Sequence, residues 1–201
     1  MSELLAELFS SRVRAAVLTL MLPRPHLSFS LTDLSRRLEL PVSSVQHECN
    51  KLTRIGLLSD HRIANVRRYR PDVDFSLLKP LTALTLRSLP LADALRGGAE
   101  EVPGIERAWV SGKVDAGATP VYLVVVGWLD LEVVDGLFDR SRKALSSVSQ
   151  YGNVELAFFP PAEWAERMTI ADPFTAALLA EPRIDIVPLR SKADVQKPDM
   201  A

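Results

Sequence analysis

The chain lacks the residues that covalent or metal-based stabilisation requires. Its 201 residues include a single cysteine, Cys49, so an intramolecular disulfide is impossible and a cysteine-based zinc site would lack thiolates. It also lacks a run of about 18 apolar residues, and its N-terminus lacks the basic, apolar and small-residue order of a secretory signal. The sequence therefore predicts a soluble cytoplasmic protein with no cofactor, no bound metal and no membrane partner.

An excess of charge of one sign is also nearly absent, since 24 Lys and Arg stand against 25 Asp and Glu and the formal net charge at pH 7 is -1. The two parts of the chain nevertheless differ in net charge. Residues 1–70 contain 11 Lys and Arg against 6 Asp and Glu, whereas residues 71–201 contain 13 against 19. A basic N-terminal part joined to an acidic C-terminal part favours a polyanion-binding module that carries a second domain with another role.

The basic part has the pattern of three helices followed by a hairpin. Apolar residues recur near helical spacing from Ser2 to Leu22, and Pro23 ends this first helix. Ser30, with Asp33 three residues later, predicts a capping box at the start of a second helix that runs to Leu38.

The third helix is predicted to begin near Pro41 and to end at Gly56. Its apolar face contains Cys49, which is expected to be a core residue. The opposite face carries polar candidates for DNA binding, namely Ser43, Ser44, Gln46, His47, Asn50, Lys51 and Arg54. Glutamine and asparagine can recognise adenine and lysine can recognise guanine in the major groove. A polar face that is merely solvated is the alternative interpretation.

An arginine-rich hairpin follows Gly56. One strand starts at Leu57 and Leu58, a turn lies near residues 63–65, and residues 66–70 return. Its candidate DNA-binding residues are Arg62, Arg67 and Arg68, with His61 and Arg70 beside them. Guanidinium groups on a protruding hairpin suit phosphate contacts or insertion into the minor groove. For His47 and His61, exposure without a specific role is the alternative.

The stretch FSLTDLSRRLELPVSSVQHECNKLTRIGLLSDHRIANVRRYRPD resembles the ArsR-type winged helix-turn-helix regulators, over roughly residues 5–72. The resemblance implies a DNA-binding domain at residues 1–72 that acts as a homodimer on double-stranded DNA. Metal-sensing members of that family carry cysteine or histidine clusters, which this sequence lacks, so metal sensing is not expected.

Residues 73–99 are predicted to form a helical connector dense in leucine. Pro80 and Pro90 limit it to short helices, and Gly97 with Gly98 predicts a flexible break. The leucines could pack against the second domain or against another subunit, and the pattern leaves both open.

Strand and helix patterns alternate in the C-terminal part. Strands are predicted at 105–110, 122–126, 154–159 and 184–187, and helices at 129–145, 162–168 and 173–179. The order predicts an α/β domain with a small mixed sheet at residues 100–188, so the whole chain belongs to the α+β class. Residues 189–201 are predicted to be a disordered tail.

The segment AWVSGKVDAGATPVYLVVVG resembles the start of nucleotidyltransferase-like domains, and the resemblance covers roughly residues 100–188. Such domains hold Mg²⁺ with an Asp-x-Asp pair on the second strand. Here Gly112 matches the family's glycine, Lys113 replaces its serine, and Pro120 and Tyr122 occupy the two aspartate positions. The resemblance therefore implies a degenerate, catalytically inactive domain that serves dimerisation, sensing of a small molecule, or docking of a protein effector.

The remaining polar and aromatic groups of this part allow two interpretations each. Asp115 is predicted to lie in a turn rather than on the strand. Glu155 is either a residual third carboxylate or a polar residue of an edge strand, the latter being preferred. Trp109, Tyr122 and Trp128 could line a small-molecule pocket, or they could simply fill a core.

The sequence as a whole predicts a sequence-specific DNA-binding transcriptional regulator rather than an enzyme. It is expected to be a homodimer on a palindromic operator, located in the cytoplasm with the nucleoid. The alternative from another class is a nucleotidyltransferase or nucleotide-dependent enzyme with an atypical site. A third is a winged helix that binds protein.

Overall fold

The chain divides into two compact units, Met1–Pro90 and Leu91–Ala201. The computed structural model describes residues 3–113, 120–148 and 153–188. These residues form a mixed α+β structure with two small sheets. The predicted turn that contains Asp115 and the predicted tail at 189–201 lie outside the described residues. The two helices of the predicted connector fall one in each unit.

The first unit contains helices and a small antiparallel sheet. Its described helices are α1 (Glu3–Leu8), α2 (Arg12–Met21), α3 (Leu31–Leu38), α4 (Val42–Arg54) and α5 (Leu78–Arg87). Its strands are β1 (Phe29–Ser30), β2 (Leu58–Ile63) and β3 (Val66–Pro71). Their spatial order is β1-β3-β2, and both pairings are antiparallel.

The prediction of one continuous N-terminal helix is wrong. Ser10 adopts a left-handed backbone conformation with φ of 49° and separates α1 from α2. Ser11 then caps α2, because its side-chain oxygen accepts a hydrogen bond from the backbone N–H of Arg14 at 3.2 Å. Serine competes for backbone hydrogen bonds and favours helix starts. The Ser-Ser pair therefore ends one helix and begins the next.

The capping box predicted at Ser30 and Asp33 is confirmed. The Ser30 hydroxyl accepts a hydrogen bond from the Asp33 N–H, and the Asp33 carboxylate accepts one from the Ser30 N–H, both at 3.1 Å. The hydrogen bond from the Ser30 side chain, and to a smaller extent the one from the Ser30 backbone, hold the pKa of Asp33 below its ordinary value. The same carboxylate lies 3.5 Å from Arg68 of β3, so one residue connects α3 to the hairpin.

We expect Asp33→Asn to destabilise the first unit by about 1 kcal/mol, since it weakens a helix cap. Because the folded-state pKa of Asp33 is depressed, its contribution is fully present above its ordinary pKa and is lost as the pH falls through the folded-state value. Denaturant titrations from neutral to strongly acidic pH should therefore show a smaller acid-induced loss in the variant than in the wild type. Parallel curves for the two proteins would contradict this assignment.

The core of the first unit joins three helices to the hairpin. Buried side chains from α2, α3, α4 and β3 meet in it, including Leu18, Leu34, Cys49 and Tyr69. Burial raises the pKa of Cys49 to about 12, so the thiol stays protonated near neutral pH. The prediction that Cys49 is a core residue is confirmed.

The second unit is built on a four-stranded mixed sheet. Its helices among the described residues are α6 (Leu91–Ala99), α7 (Leu131–Val148), α8 (Pro161–Thr169) and α9 (Pro173–Ala180). Its strands are β4 (Ile105–Ser111), β5 (Val121–Gly127), β6 (Val154–Phe159) and β7 (Arg183–Val187), in the spatial order β6-β5-β4-β7. The β5–β6 pair is parallel, and the other two pairs are antiparallel. The predicted small mixed sheet is confirmed.

The predicted flexible break at Gly97 and Gly98 is wrong, because both glycines are buried inside α6. A Cβ atom added to Gly98 would lie 3.3 Å from the Cβ of Arg140 on α7. The Arg140 Nε also donates a hydrogen bond of 2.7 Å to the Gly98 carbonyl oxygen. These glycines therefore serve the close packing of α6 against α7.

Candidate nucleic-acid interface

Helix α4 presents a continuous polar surface to solvent. Glu39 adopts a left-handed conformation and Pro41 an extended one, which turns the chain between α3 and α4. Of the seven polar residues predicted for this face, five are exposed and two, Ser44 and Lys51, are half-buried at its flank. The exposed five are Ser43, Gln46, His47, Asn50 and Arg54. Their side chains make no hydrogen bond or ion pair within the described residues, so they are available to an external partner.

The opposite face of α4 contains a charged residue that the sequence pattern did not reveal. Glu48 is only 4% exposed and lies between Val45 and Leu52 on the buried stripe. Its carboxylate accepts a hydrogen bond from Arg14 Nε of α2 at 2.6 Å. A glutamate in register with an apolar stripe, together with an arginine on a neighbouring helix, is the signal that could have indicated this pair. The ion pair connects α4, which carries the candidate DNA-binding residues, to α2.

The hairpin ends in a tight turn without glycine. Ala64 and Asn65 both have positive φ, 46° and 64°, as the two-residue turn of type I′ requires. Ile63 and Val66 form the last pair of the ladder and are 55% and 49% exposed. The tip is therefore apolar, although the strands behind it are rich in arginine.

Arg67 is compensated within the hairpin. Its guanidinium donates two hydrogen bonds to the Asp60 carboxylate, at 2.8 and 2.9 Å, and lies 4.9 Å from the centre of the Tyr69 ring. These hydrogen bonds hold the pKa of Asp60 below its ordinary value. Arg67 is directly opposite Arg62 in the register, a like-charge pairing that costs free energy. Asp60 reduces that cost.

Arg68 is held by the body of the unit. It donates a 3.0 Å hydrogen bond to the Ser28 hydroxyl and another to the Ser28 carbonyl, and it pairs with Asp33 at 3.5 Å. Arg62 and Arg70 are both exposed and have no ion pair or hydrogen bond among the described residues. Among the described residues, the hairpin arginines without a directly bonded acidic partner are therefore Arg62 and Arg70, and Arg70 was only a secondary candidate from the sequence.

Potential metal ligands are dispersed in the part of the chain that the structure describes. Among the described residues, no group of three or more histidine, cysteine, aspartate or glutamate side chains is arranged to hold a metal ion. None of the described helices is long and apolar enough to cross a bilayer.

In the second unit, Tyr122 and Glu155 are neighbours on the parallel strands β5 and β6. Desolvation raises the pKa of Tyr122, and the interaction with Glu155 raises it further. The Tyr122 ring packs edge-on against Phe174 of α9, with ring centres 5.5 Å apart. Glu155 is exposed on β6, which is an edge strand, in agreement with its preferred interpretation. A metal site with paired carboxylates would need a second carboxylate beside Glu155. The neighbouring residue on β5 is Tyr122, which provides a phenol instead.

The three aromatic candidates of the second unit have different environments. Trp109 is buried and meets Trp164 edge-on at 5.4 Å, with the Arg107 guanidinium 4.3 Å from its ring centre. Tyr122 packs on the border of the same cluster, whereas Trp128 is exposed. Trp109 therefore fills a core, as the simpler of the two interpretations expects.

No protein-family model matches the chain, and neither a curated protein nor a solved structure matches it.

Proposed function

We propose that the chain is a sequence-specific DNA-binding transcriptional regulator whose first unit is a winged helix-turn-helix domain of the ArsR type. The observation that carries the proposal is the outward face of α4, where five polar side chains are exposed and lack partners within the described chain. An amide, an imidazole and a guanidinium on one helical face match the donors and acceptors of base edges and phosphates.

The size of α4 and the position of the free charges support this function. A 13-residue helix is about 20 Å long, and a helix of ordinary diameter fits the major groove. Gln46 and Asn50 are assigned to base edges, since amides can pair bidentately with adenine. Arg54 at the end of α4, with Arg62 and Arg70 on the hairpin, is assigned to phosphates. Arg67 and Arg68 contribute less, because acidic groups already compensate them.

We expect substitutions in the two groups to have different effects on DNA binding. Asn50→Ala should weaken binding by about tenfold at particular bases and relax the sequence preference there. Arg62→Gln/Arg70→Gln should weaken binding to all sequences and reduce the slope of log K against log salt by about 2. The measurement is fluorescence anisotropy on sequences enriched by selection from random DNA, repeated at several salt concentrations.

Arg87→Gln is the control, since Arg87 is exposed on α5 and its replacement removes one positive charge away from α4 and the hairpin, against two in the hairpin variant. It should leave both affinity and salt slope unchanged. If the wild type enriches no sequence, or if Arg87→Gln weakens binding as much as the hairpin variant, the proposal fails.

We propose further that the regulator is a homodimer on an inverted repeat. A two-fold axis would place two α4 helices in successive major grooves, about 34 Å apart. Enriched sequences should therefore contain half-sites one helical turn apart, and sedimentation should show a dimer on the DNA.

The second unit is proposed to be a nucleotidyltransferase-like domain without transferase activity. Two hard cations need several anionic oxygen ligands, and the strand neighbour of Glu155 is Tyr122, a phenol whose pKa is raised by desolvation first and which therefore stays un-ionised near neutral pH. Incubation with Mg²⁺ and labelled nucleoside triphosphates should give no transfer to protein or nucleic acid. Transfer by the wild type that Glu155→Gln abolishes would establish the enzymatic alternative.

A further inference from the structure

A cavity of about 310 Å³ lies in the first unit beside the end of α4. Its walls come from α1–α2, from the last turn of α4 and from α5. Most of the lining is apolar, including Phe9, Leu18, Leu52 and Leu81. A group the size of a water molecule occupies about 30 Å³. The cavity therefore has room for an apolar body of about ten such groups. Its volume is at the lower limit of small-molecule sites.

The charged groups of the cavity are all of one sign. Arg14, Lys51 and Arg54 line it, and no aspartate or glutamate does so among the described residues. Arg14 is compensated by Glu48, which lies on the buried face of α4. Lys51 and Arg54 have no acidic partner in the described chain. An apolar cavity with two cations that lack acidic partners is complementary to a ligand with an apolar body and an anionic head group.

We propose that this cavity binds an amphipathic carboxylate, with the apolar body against Leu18, Leu52 and Leu81 and the carboxylate at Lys51 and Arg54. The same two side chains belong to the polar surface of α4. A bound carboxylate offsets one of their two positive charges and occupies both side chains, beside the surface that would approach phosphates. If the proposed function holds, the ligand therefore lowers DNA affinity.

The direct test is calorimetric titration of the full chain without DNA. The probes are decanoate, decanol and decylamine, which share a chain of about the cavity's size and differ in head-group charge; all are used below their micelle concentrations. We expect decanoate to bind about tenfold more tightly than decanol and decylamine to bind most weakly. Equal affinity of decanoate and decanol, or the absence of decanoate binding, would overturn the inference.

Two double variants separate the ligand site from the proposed DNA function. Lys51→Gln/Arg54→Gln should weaken decanoate about tenfold and leave decanol unchanged. Arg62→Gln/Arg70→Gln removes the same charge from the hairpin and should bind decanoate like the wild type. Decanoate affinity that is unaffected by the first pair, or equally reduced by both, would contradict the site.

Competition with DNA then tests the regulatory consequence. In the wild type, decanoate should lower DNA affinity at constant salt, whereas decanol should not. Decanoate binding in a chain that binds no DNA would retain the ligand site and refute the proposed function. DNA binding without decanoate binding would refute the ligand site and leave the proposed function standing.

Discussion

Replacing Glu48 with alanine is expected to destabilise the first unit by about 3 kcal/mol. Glu48 is 4% exposed, and its carboxylate accepts a 2.6 Å hydrogen bond from Arg14. Its removal leaves a partly buried guanidinium without its partner and a void under α4. Loss of one member of a buried ion pair costs about 3–5 kcal/mol. The Arg14 side chain keeps 32% exposure, so water offsets part of the loss and the lower end applies.

Urea denaturation of matched variants measures this effect. Glu7→Ala removes a charge from the exposed face of α1 and should change stability by less than about 0.5 kcal/mol. Arg14→Met/Glu48→Leu replaces both charges by apolar groups and should recover most of the stability that Glu48→Ala loses. If Glu48→Ala is no more harmful than Glu7→Ala, the ion pair contributes little to the fold.

Replacing Gly104 with alanine is expected to cost the second unit more than about 4 kcal/mol, because two unfavourable effects coincide. Gly104 has φ of +82°, a conformation that side chains rarely adopt. An added Cβ atom would also lie 2.1 Å from the carbonyl oxygen of Trp128. The Trp128 N–H donates a 2.9 Å hydrogen bond to the Gly104 oxygen, so relief of the clash requires the breaking of this contact at the end of the β4–β5 pair.

Gly136→Ala is the natural comparison for this substitution. Gly136 lies within α7, and an added Cβ atom would meet only the end of the Arg140 side chain, at 3.1 Å. Alanine is the better helix former by about 1 kcal/mol, so this variant should be as stable as the wild type or more so. Thermal unfolding followed by circular dichroism compares the two. Wild-type melting of Gly104→Ala would show that the backbone there can adapt.

Features that depend on neighbouring residues were predictable from the sequence. The Ser30 and Asp33 capping box, the end of α4 before Gly56 and the strand Val154–Phe159 all follow from local chemistry and periodicity. The break at Ser10 was not predicted, since the apolar spacing continues across it. Gly97 and Gly98 were misinterpreted because the same residue type serves both flexible segments and close helix packing.

The candidate interface was predictable in composition but not in charge. Helical spacing was sufficient to place Gln46, Asn50 and Arg54 on one exposed face. The compensation of Arg67 by Asp60 depends on strand register. That of Arg68 depends on Ser28 and Asp33, which approach β3 through the two-residue strand β1. Such contacts arise only once distant segments have paired, so counting arginines overestimates the charge available to a partner.

The order of strands in the second sheet has a consequence for synthesis of the chain. β4 is the first strand of this sheet to leave the ribosome, yet one of its two partners is β7, the last described strand. Until residues 183–187 emerge, the buried segment from Ala108 to Ser111 has an unpaired edge, and unpaired edges recruit other chains. The hairpin of the first unit pairs residues close in sequence and is complete much earlier. A nascent chain therefore carries a finished first unit while its second unit still needs protection from aggregation.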